Sequence, residues 1–244
     1  MLVMFGSAPL QQVGGDTVLT LSTVSPADFW TVLSDNWDLF STGLVTTLKV
    51  VAICAVLSLL LGGVLAAMRV SPVPALRASG ASYVNVVRNT PLTLVFLFIF
   101  FGMPTLEVKG MSPLWVAVAS LTLYTSAFVC EALRAGINTV PVGQAEASRA
   151  LGMRFTQTLS LVVLPQAFRS VVPPLASVLI AMAKNSTIAA GFGLDELGSL
   201  RNGLNERGED TLVSLTWIAV FFLLIVLPMA WGASKAERRL AVRR

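Results

Sequence analysis

Residues 131–174 read EALRAGINTVPVGQAEASRALGMRFTQTLSLVVLPQAFRSVVPP and form a partly polar interruption in an otherwise strongly apolar chain. At its centre, residues 144–151 have helical spacing, with alanine and leucine recurring on one side. Pro141 precedes this segment, and Gly152 follows it where a left-handed residue commonly ends a helix. A helix of about eight to ten residues is marginal alone in water. We therefore expect it to lie against another surface.

The composition is that of a membrane protein. Hydrophobic residues make up 55% of the chain and charged residues 12%, against about 45–50% and about 25% in soluble proteins. The absence of histidine excludes His-based catalysis and most zinc sites. Cys54 and Cys130 fall in apolar runs, which favours buried small side chains over a disulfide or redox pair.

The apolar runs predict an all-α, polytopic integral membrane protein with five transmembrane helices, because each run can cross about 30 Å of hydrocarbon. The predicted spans are approximately residues 44–68, 84–103, 111–133, 168–193 and 211–233. They belong to a transmembrane domain over residues 37–234, which includes a polar loop at 134–167. Residues 1–36 are predicted to form an external tail with a surface helix near its end, and residues 235–244 a basic tail.

Thr90 precedes Pro91, which predicts a local break in the backbone there. Gly62 and Gly63 suit close helix packing.

The distribution of basic residues predicts the orientation of these spans. Three, four and five basic residues follow the first, third and fifth spans, whereas the opposite side has only Lys109, Arg201 and Arg207 together with most of the acids. By the positive-inside rule the N-terminus is outside and the C-terminus is cytoplasmic. The polar loop is then cytoplasmic.

The loop carries a family resemblance. Glu146-Ala147-Ser148, then Gly152, then Leu164-Pro165 resemble the EAA loop of permease subunits of ABC importers. The wider text, GINTVPVGQAEASRALG followed by LPQAFRSVVPP and KNSTI, is similar to the polar amino-acid uptake branch, and most like the glutamate permease subunits of high-GC Gram-positive bacteria. Ser148 departs from the second alanine that is usual in the family, but it is still small.

The resemblance implies the type I permease fold of ABC importers and a location in the cell membrane. It also implies that the short loop helix docks in a groove of an ATPase subunit, against the simpler reading of a solvated loop helix. The residues that would couple to the ATPase are Gly143, Gln144, Glu146, Ala147, Ser148, Arg149 and Gly152. The implied partners are two ATPase subunits, a second permease that is identical or homologous, an extracellular substrate-binding protein and the amino acid itself; no nucleic acid is implied.

No catalytic or metal-binding constellation is evident, and no Gly-rich loop precedes Lys-Ser/Thr. We therefore expect a non-catalytic subunit without a cofactor of its own, with ATP and Mg on the partner ATPase. Transport would then be mechanical: a cytoplasmic event moves helices, and the helices open or close a path.

Three further polar features have both a structural and a functional interpretation. Lys184, Asn185, Ser186 and Thr187 interrupt the fourth span, where ionisable groups are costly and often functional; they either line the substrate path or let Lys184 snorkel to the interface. Glu131 and Arg134 form an interfacial ion pair or part of a gate. Arg88, Thr90 and Pro91 mark either a simple helix start or a gate or subunit interface.

Other functions remain open. The substrate can be glutamate, or else glutamine, aspartate or a basic amino acid. A secondary transporter driven by ions predicts carboxylates within spans or inverted repeats, and neither is evident in the sequence. A membrane scaffold or sensor without transport is a third possibility.

Overall fold

The computed structural model describes residues 11–13, 16–18, 26–106 and 110–240. Apart from a small hairpin, the regular secondary structure of these residues is helical. The chain divides into two compact units, one comprising residues 1–49 and 187–225 and the other residues 50–186 and 226–244. Helices α2 (Trp37–Val70) and α10 (Thr211–Leu240) each contribute to both units.

The first unit contains the hairpin of β1 (Gln11–Val13) and β2 (Asp16–Val18), paired antiparallel, and α1 (Pro26–Asp35) and α9 (Leu200–Glu206). Helix α1 corresponds to the predicted surface helix; residues 1–10, 14, 15 and 19–25 of the predicted tail lie outside the described residues.

Aromatic side chains hold the first unit together. The rings of Phe29 and Trp217 stack with 4.6 Å between centroids, and those of Phe40 and Phe221 with 5.1 Å. The Trp217 indole nitrogen donates a hydrogen bond of 2.7 Å to the Phe29 carbonyl. Stacked pairs of this kind contribute beyond their buried area, so they attach α1 to α10.

The second unit is built around α5 (Pro113–Ile137), which packs against α3 (Pro74–Arg88), α4 (Leu92–Thr105) and α8 (Leu164–Asn185). A buried cluster joins α2, α3 and α5 through Leu65, Ala66, Val84, Ala127 and Cys130. Cys54 and Cys130 are both buried and free, as predicted.

Two glycines permit close helix packing in this unit. A β-carbon at Gly62 would lie 2.5 Å from Val129 Cγ1 and 2.9 Å from the Ser126 carbonyl oxygen. A β-carbon at Gly136 would lie 3.0 Å from the Val171 backbone. Helix α5 therefore approaches α2 through Gly62 and approaches α8 through Gly136. The predicted role of Gly62 is confirmed, whereas Gly63 faces open space.

Within the described ranges, four helical stretches are long and apolar enough to cross a bilayer: Trp37–Val70, Pro113–Ile137, Phe155–Phe192 and Thr211–Arg239. Helices α3 and α4, bent by 103° at a short break, make a fifth if they are counted as one span. This agrees with the five predicted helices.

The break between α3 and α4 lies at Asn89–Pro91, as the Thr90-Pro91 pair predicted. The Thr90 hydroxyl donates a hydrogen bond of 2.8 Å to the Val86 carbonyl, and the Asn89 amide donates one of 2.7 Å to the Asn85 carbonyl. Residues 84–88 of the predicted second span therefore belong to α3, because the chain turns before Pro91 and the apolar helix begins only at Leu92.

Helical structure extends well into the predicted polar loop before the fourth span. A short helix α6 (Val142–Ala150) is followed by α7 (Phe155–Gln157), a π-helical segment (Thr158–Val163) and then α8. A 3₁₀ segment, Ser186–Phe192, continues the stretch after α8.

Candidate functional site

Helix α6 forms where the sequence predicted it, and backbone geometry explains its two ends. Pro141 stands at the N-cap with extended backbone, and its carbonyl accepts a hydrogen bond of 3.0 Å from the Gln144 amide. Gly152 has a φ of +82°. The Met153 amide donates to the Ser148 carbonyl and the Gly152 amide to the Arg149 carbonyl, which is a Schellman motif. The predicted left-handed cap is therefore confirmed.

The outer surface of α6 is open. Gly143, Gln144, Glu146, Ala147, Arg149 and Ala150 are exposed, and so is Leu151, which follows the helix. Because four of these seven side chains are glycine, alanine or leucine, a neighbouring protein can approach the α6 backbone closely without desolvating many polar groups.

Ser148 faces inward and is the one buried residue of α6. Its hydroxyl donates a hydrogen bond of 2.7 Å to the Gln144 carbonyl. This internal hydrogen bond satisfies the hydroxyl, which explains how serine replaces alanine here. The structure thus places Ser148 on the buried side of the helix, whereas the other predicted coupling residues are exposed.

Glu146 and Arg149 are three residues apart on α6, and they form no ion pair with each other in the part of the chain that the structure describes. Both side chains are exposed. The charges are therefore available to groups from outside the chain.

The inner side of α6 packs against the π-helical segment. Between them lies a cavity of about 140 Å³ lined by Ala145, Arg149, Phe155, Thr158, Leu159 and Val163. The π-helical segment leads without interruption into α8, which in turn packs along α5. Direct contacts therefore connect α6 to the long helices α8 and α5.

A second cavity, of about 210 Å³, lies between α5 and α8. It is lined by Tyr124, Thr125, Phe128, Val178, Ala181, Met182 and Asn185. Asn185 is the one residue of the predicted path that lines it. Lys184 and Thr187 are exposed, and Ser186 is buried with its hydroxyl donating to the Ala183 carbonyl at 2.9 Å.

Sequence reasoning did not identify the residues that α5 contributes to this cavity. The sequence feature that could have indicated them is the polar stretch from Thr122 to Ser126 inside an apolar span. A helix with hydroxyl groups on successive residues in hydrocarbon needs a partner or a cavity for them.

Glu131 is the centre of a cluster of three arginines. Its carboxylate contacts the Arg69 guanidinium, lies 3.3 Å from Arg88 Nη1 and 3.8 Å from Arg134 Nη1. The predicted pair with Arg134 is confirmed, whereas Arg69 and Arg88 were not foreseen as partners. The cluster links the ends of α2, α3 and α5, since each arginine lies in the last turn of its helix. Thr90 and Pro91 form the adjacent turn.

Another carboxyl, that of Glu196, is fully buried in the first unit. It accepts hydrogen bonds from the Thr47 hydroxyl at 3.1 Å and from the Gly198 amide at 2.6 Å. Burial raises the pKa of this carboxyl to about 7 from the usual 4.5, although the hydrogen bonds act in the opposite direction. In the sequence Glu196 looked like one of several external surface acids.

The sequence of this chain is similar to those of known transport proteins. The chain is 42% identical to the glutamate transport system permease protein GluC of Corynebacterium efficiens, over 81% of this chain and 92% of that protein. It is 34% identical to the probable glutamine ABC transporter permease protein GlnM of Bacillus subtilis, over 86% of this chain and 96% of that protein.

Solved structures agree with the fold. The structure of an amino acid ABC transporter with histidines has a chain that superposes with a TM-score of 0.82, at 29% identity, over 89% of this chain and 99% of that one. The MetNI methionine ABC transporter in an inward-facing conformation superposes with a TM-score of 0.64 at 21% identity, which concerns the fold alone.

The model of one family, described as the inner membrane component of binding-protein-dependent transport systems, matches residues 58–241. This range begins within α2 and includes α6, both cavities and the Glu131 cluster. The chain therefore belongs to the family of inner membrane components of binding-protein-dependent transport systems, as a multi-pass membrane protein with the fold of ABC importer permeases.

Proposed function

We propose that this chain is the translocation subunit of an ATP-driven importer of a polar amino acid, with glutamate as the substrate. The observation that carries the proposal is α6: a capped helix with an uncovered surface of small side chains, packed on its other side against the π-helical segment that leads into α8. Such a helix can transmit a movement imposed from outside.

Coupling in this proposal runs through contacts. An ATPase subunit binds the outer surface of α6, with Glu146 and Arg149 available for ion pairs and Gly143, Gln144 and Ala147 giving close access to the backbone. ATP binding and hydrolysis on that subunit move α6, the π-helical segment and α8 together. Because the cavity with Asn185 lies between α8 and α5, this movement opens the cavity to one side of the membrane and then to the other.

The chain itself takes no chemical part in ATP hydrolysis, and ATP and Mg belong to the ATPase. The complex contains two ATPase subunits, an extracellular substrate-binding protein and a second permease, identical or homologous, because five spans are few to enclose a path. The N-terminus lies outside and the C-terminus in the cytoplasm. Glutamate is favoured over glutamine by the higher identity to the glutamate permease, 42% against 34%.

The test of coupling is site-specific cross-linking in a complex that transports. Ala147→Cys places a thiol on the exposed surface of α6, and Cys54 and Cys130 are buried and free. We expect A147C to cross-link to the ATPase subunit, with a yield that changes when ATP is added. Phe98→Cys, exposed on α4, is the matched control and should give no such product. Cross-linking to the ATPase from F98C but not from A147C would refute the coupling role.

The test of the substrate is uptake of labelled glutamate, with unlabelled glutamate, aspartate, glutamine and arginine as competitors. We expect glutamate to compete most strongly. Uptake that persists without the ATPase subunit would instead indicate a secondary transporter.

A further inference from the structure

The exposed face of α10 changes in character towards its C-terminal end, within the second unit. Leu227 and Trp231 are 58% and 67% exposed, and Lys235, Arg238 and Arg239 are exposed as well. Residues 227, 231, 235 and 238 follow one another at intervals of four, four and three positions, which places them in one row on the helix. This row therefore runs from an aliphatic side chain through an indole to two basic groups.

The dimensions of the row match the boundary of a bilayer. A helix rises about 1.5 Å per residue, so Lys235 stands about 6 Å and Arg238 about 10 Å beyond Trp231 along the axis. Headgroups add about 5–8 Å to each side of the hydrocarbon, and tryptophan is enriched where the two regions meet. Because helical side chains point back towards the N-terminus, both basic groups reach into the headgroup layer when Trp231 lies at this boundary.

The basic groups of this row have no carboxylate within ion-pair distance among the residues that the structure describes. The last-turn arginines of α2, α3 and α5 all contact Glu131. By contrast, none of the ion pairs in the described part of the chain includes Lys235, Arg238 or Arg239. The exposed Glu237 lies about 120° around the helix from Trp231. The positive charge on this side of α10 is therefore left for an anion from outside the chain.

Lys235 is already oriented for such an anion. Its ammonium nitrogen lies 4.6 Å from the centroid of the Trp231 ring, which is a cation–π contact. The contact restricts a flexible side chain, so less conformational entropy is lost when a ligand binds. An ammonium group has three donors and no acceptor. Its complementary ligand is an anion with several oxygen atoms, such as a phosphodiester.

We propose that Trp231, Lys235 and Arg238 form a binding site for the headgroup of an anionic phospholipid. Lys235 and Arg238 donate hydrogen bonds to the phosphodiester oxygens, while an acyl chain of the same lipid lies along Leu227. A zwitterionic headgroup fits less well, because its quaternary amine brings positive charge to a positive surface and competes for the Trp231 ring. The site goes beyond transport: it holds the end of α10 at the membrane surface and makes it respond to lipid composition and salt.

Fluorescence quenching by brominated lipids tests the site. The complete complex, purified through this chain, is reconstituted into phosphatidylcholine nanodiscs with an increasing share of brominated phosphatidylglycerol or brominated phosphatidylcholine. The quenching that disappears in Trp231→Phe belongs to Trp231. We expect phosphatidylglycerol to be preferred at Trp231 about 5- to 25-fold, since one basic residue near an anionic surface contributes about fivefold. Lys235→Gln should lower this preference, and K235Q/R238Q should abolish it.

Arg77→Gln combined with Arg201→Gln is the matched control, because it removes two exposed charges from α3 and α9. R77Q/R201Q lowers the net charge by the same amount as K235Q/R238Q and should keep the wild-type preference. Added salt should lower the preference of the wild type, because salt screens the attraction. Equal elution of all variants as intact complexes shows that they are folded.

Three results would overturn the site. Equal quenching of Trp231 by both lipids would mean that it contacts lipid without selecting the headgroup. An unchanged preference in K235Q/R238Q would place the anionic lipid elsewhere, and no quenching of Trp231 by either lipid would show that another protein covers this face. None of these results depends on amino-acid uptake, which is measured separately, so the site and the proposed function can fail independently.

Discussion

At the scale of single residues, two carboxyl groups have opposite environments. Glu131 lies at the end of α5 among three arginines. Glu196 is fully buried and faces Thr47 and backbone amides, and it has no cationic partner among the residues that the structure describes. Desolvation without a counter-charge favours the protonated form. The two acids should therefore respond differently to neutralisation.

Glu196 should make the stability of the protein depend on pH. Its pKa is about 7 in the folded chain against the usual 4.5, so between these values the folded state holds a proton that the unfolded state has lost. Its stabilising contribution is complete below pH 4.5 and is lost as the pH rises through about 7. We expect the Tm in detergent to fall over this window.

Glu196→Gln should reduce that fall, since the amide stays neutral at every pH. Asp195→Asn, a change at the exposed neighbour, is the control and should leave the curve unchanged. The measurement is the difference between variant and wild-type Tm from pH 4.5 to 8. Parallel curves for E196Q and the wild type would contradict the proton uptake by Glu196.

Neutralising Glu131 should destabilise the second unit, because its carboxylate lies among three arginines. Glu131→Gln leaves three guanidinium groups facing one another, of which Arg69 is only 12% exposed. We expect a loss on the order of 1–3 kcal/mol in unfolding free energy, decreasing at high salt because salt screens the repulsion. Glu146→Gln, at an exposed acid of α6, should leave the Tm unchanged. An equal Tm for E131Q and the wild type at low salt would show that the cluster does not stabilise the fold.

At the scale of elements, the sequence predicted the helix ends and breaks that proline and glycine determine through the backbone. Pro141 and Gly152 set the ends of α6, and the Thr90-Pro91 pair set the break before α4, because both effects act within a few residues. The partners of Glu131 were harder to predict from the sequence, because Arg134 is three residues away but Arg69 is 62 residues away. Nothing local relates such positions, so the cluster and the cavity beside it appear only when helices are packed.

The contact between α2 and α5 offers a matched pair of adjacent glycines. A β-carbon at Gly62 would overlap Val129, whereas one at Gly63 meets nothing within 4 Å. We expect Gly62→Ala to lower the free energy of unfolding by about 1–3 kcal/mol through overpacking. Gly63→Ala should be neutral or stabilise the helix by up to about 1 kcal/mol. Thermal unfolding of the two purified variants decides this, and G63A being the less stable would mean that α2 and α5 do not meet at Gly62.

At the scale of the whole molecule, the basic residues alternate with the spans, and this pattern is independent of the family resemblance. One side carries Arg69, Arg77 and Arg88 after the first span, four arginines between residues 134 and 169, and five basic residues from 235 to 244. A bias repeated in three loops sets orientation more firmly than any single loop. In the orientation proposed on this ground, α6 and the Glu131 cluster face the cytoplasm, where an ATPase can reach α6.

This orientation predicts which exposed positions react from outside an intact cell. Asn205→Cys, exposed in α9, should be labelled by a membrane-impermeant maleimide, whereas Ser234→Cys and Ala147→Cys, exposed in α10 and α6, should react only after the membrane is opened. The physical reason is that moving the arginines of α6 and α10 across the bilayer is costly. The buried Cys54 and Cys130 provide the background in the unsubstituted chain. Labelling of A147C in intact cells would place α6 outside and leave it beyond the reach of a cytoplasmic ATPase.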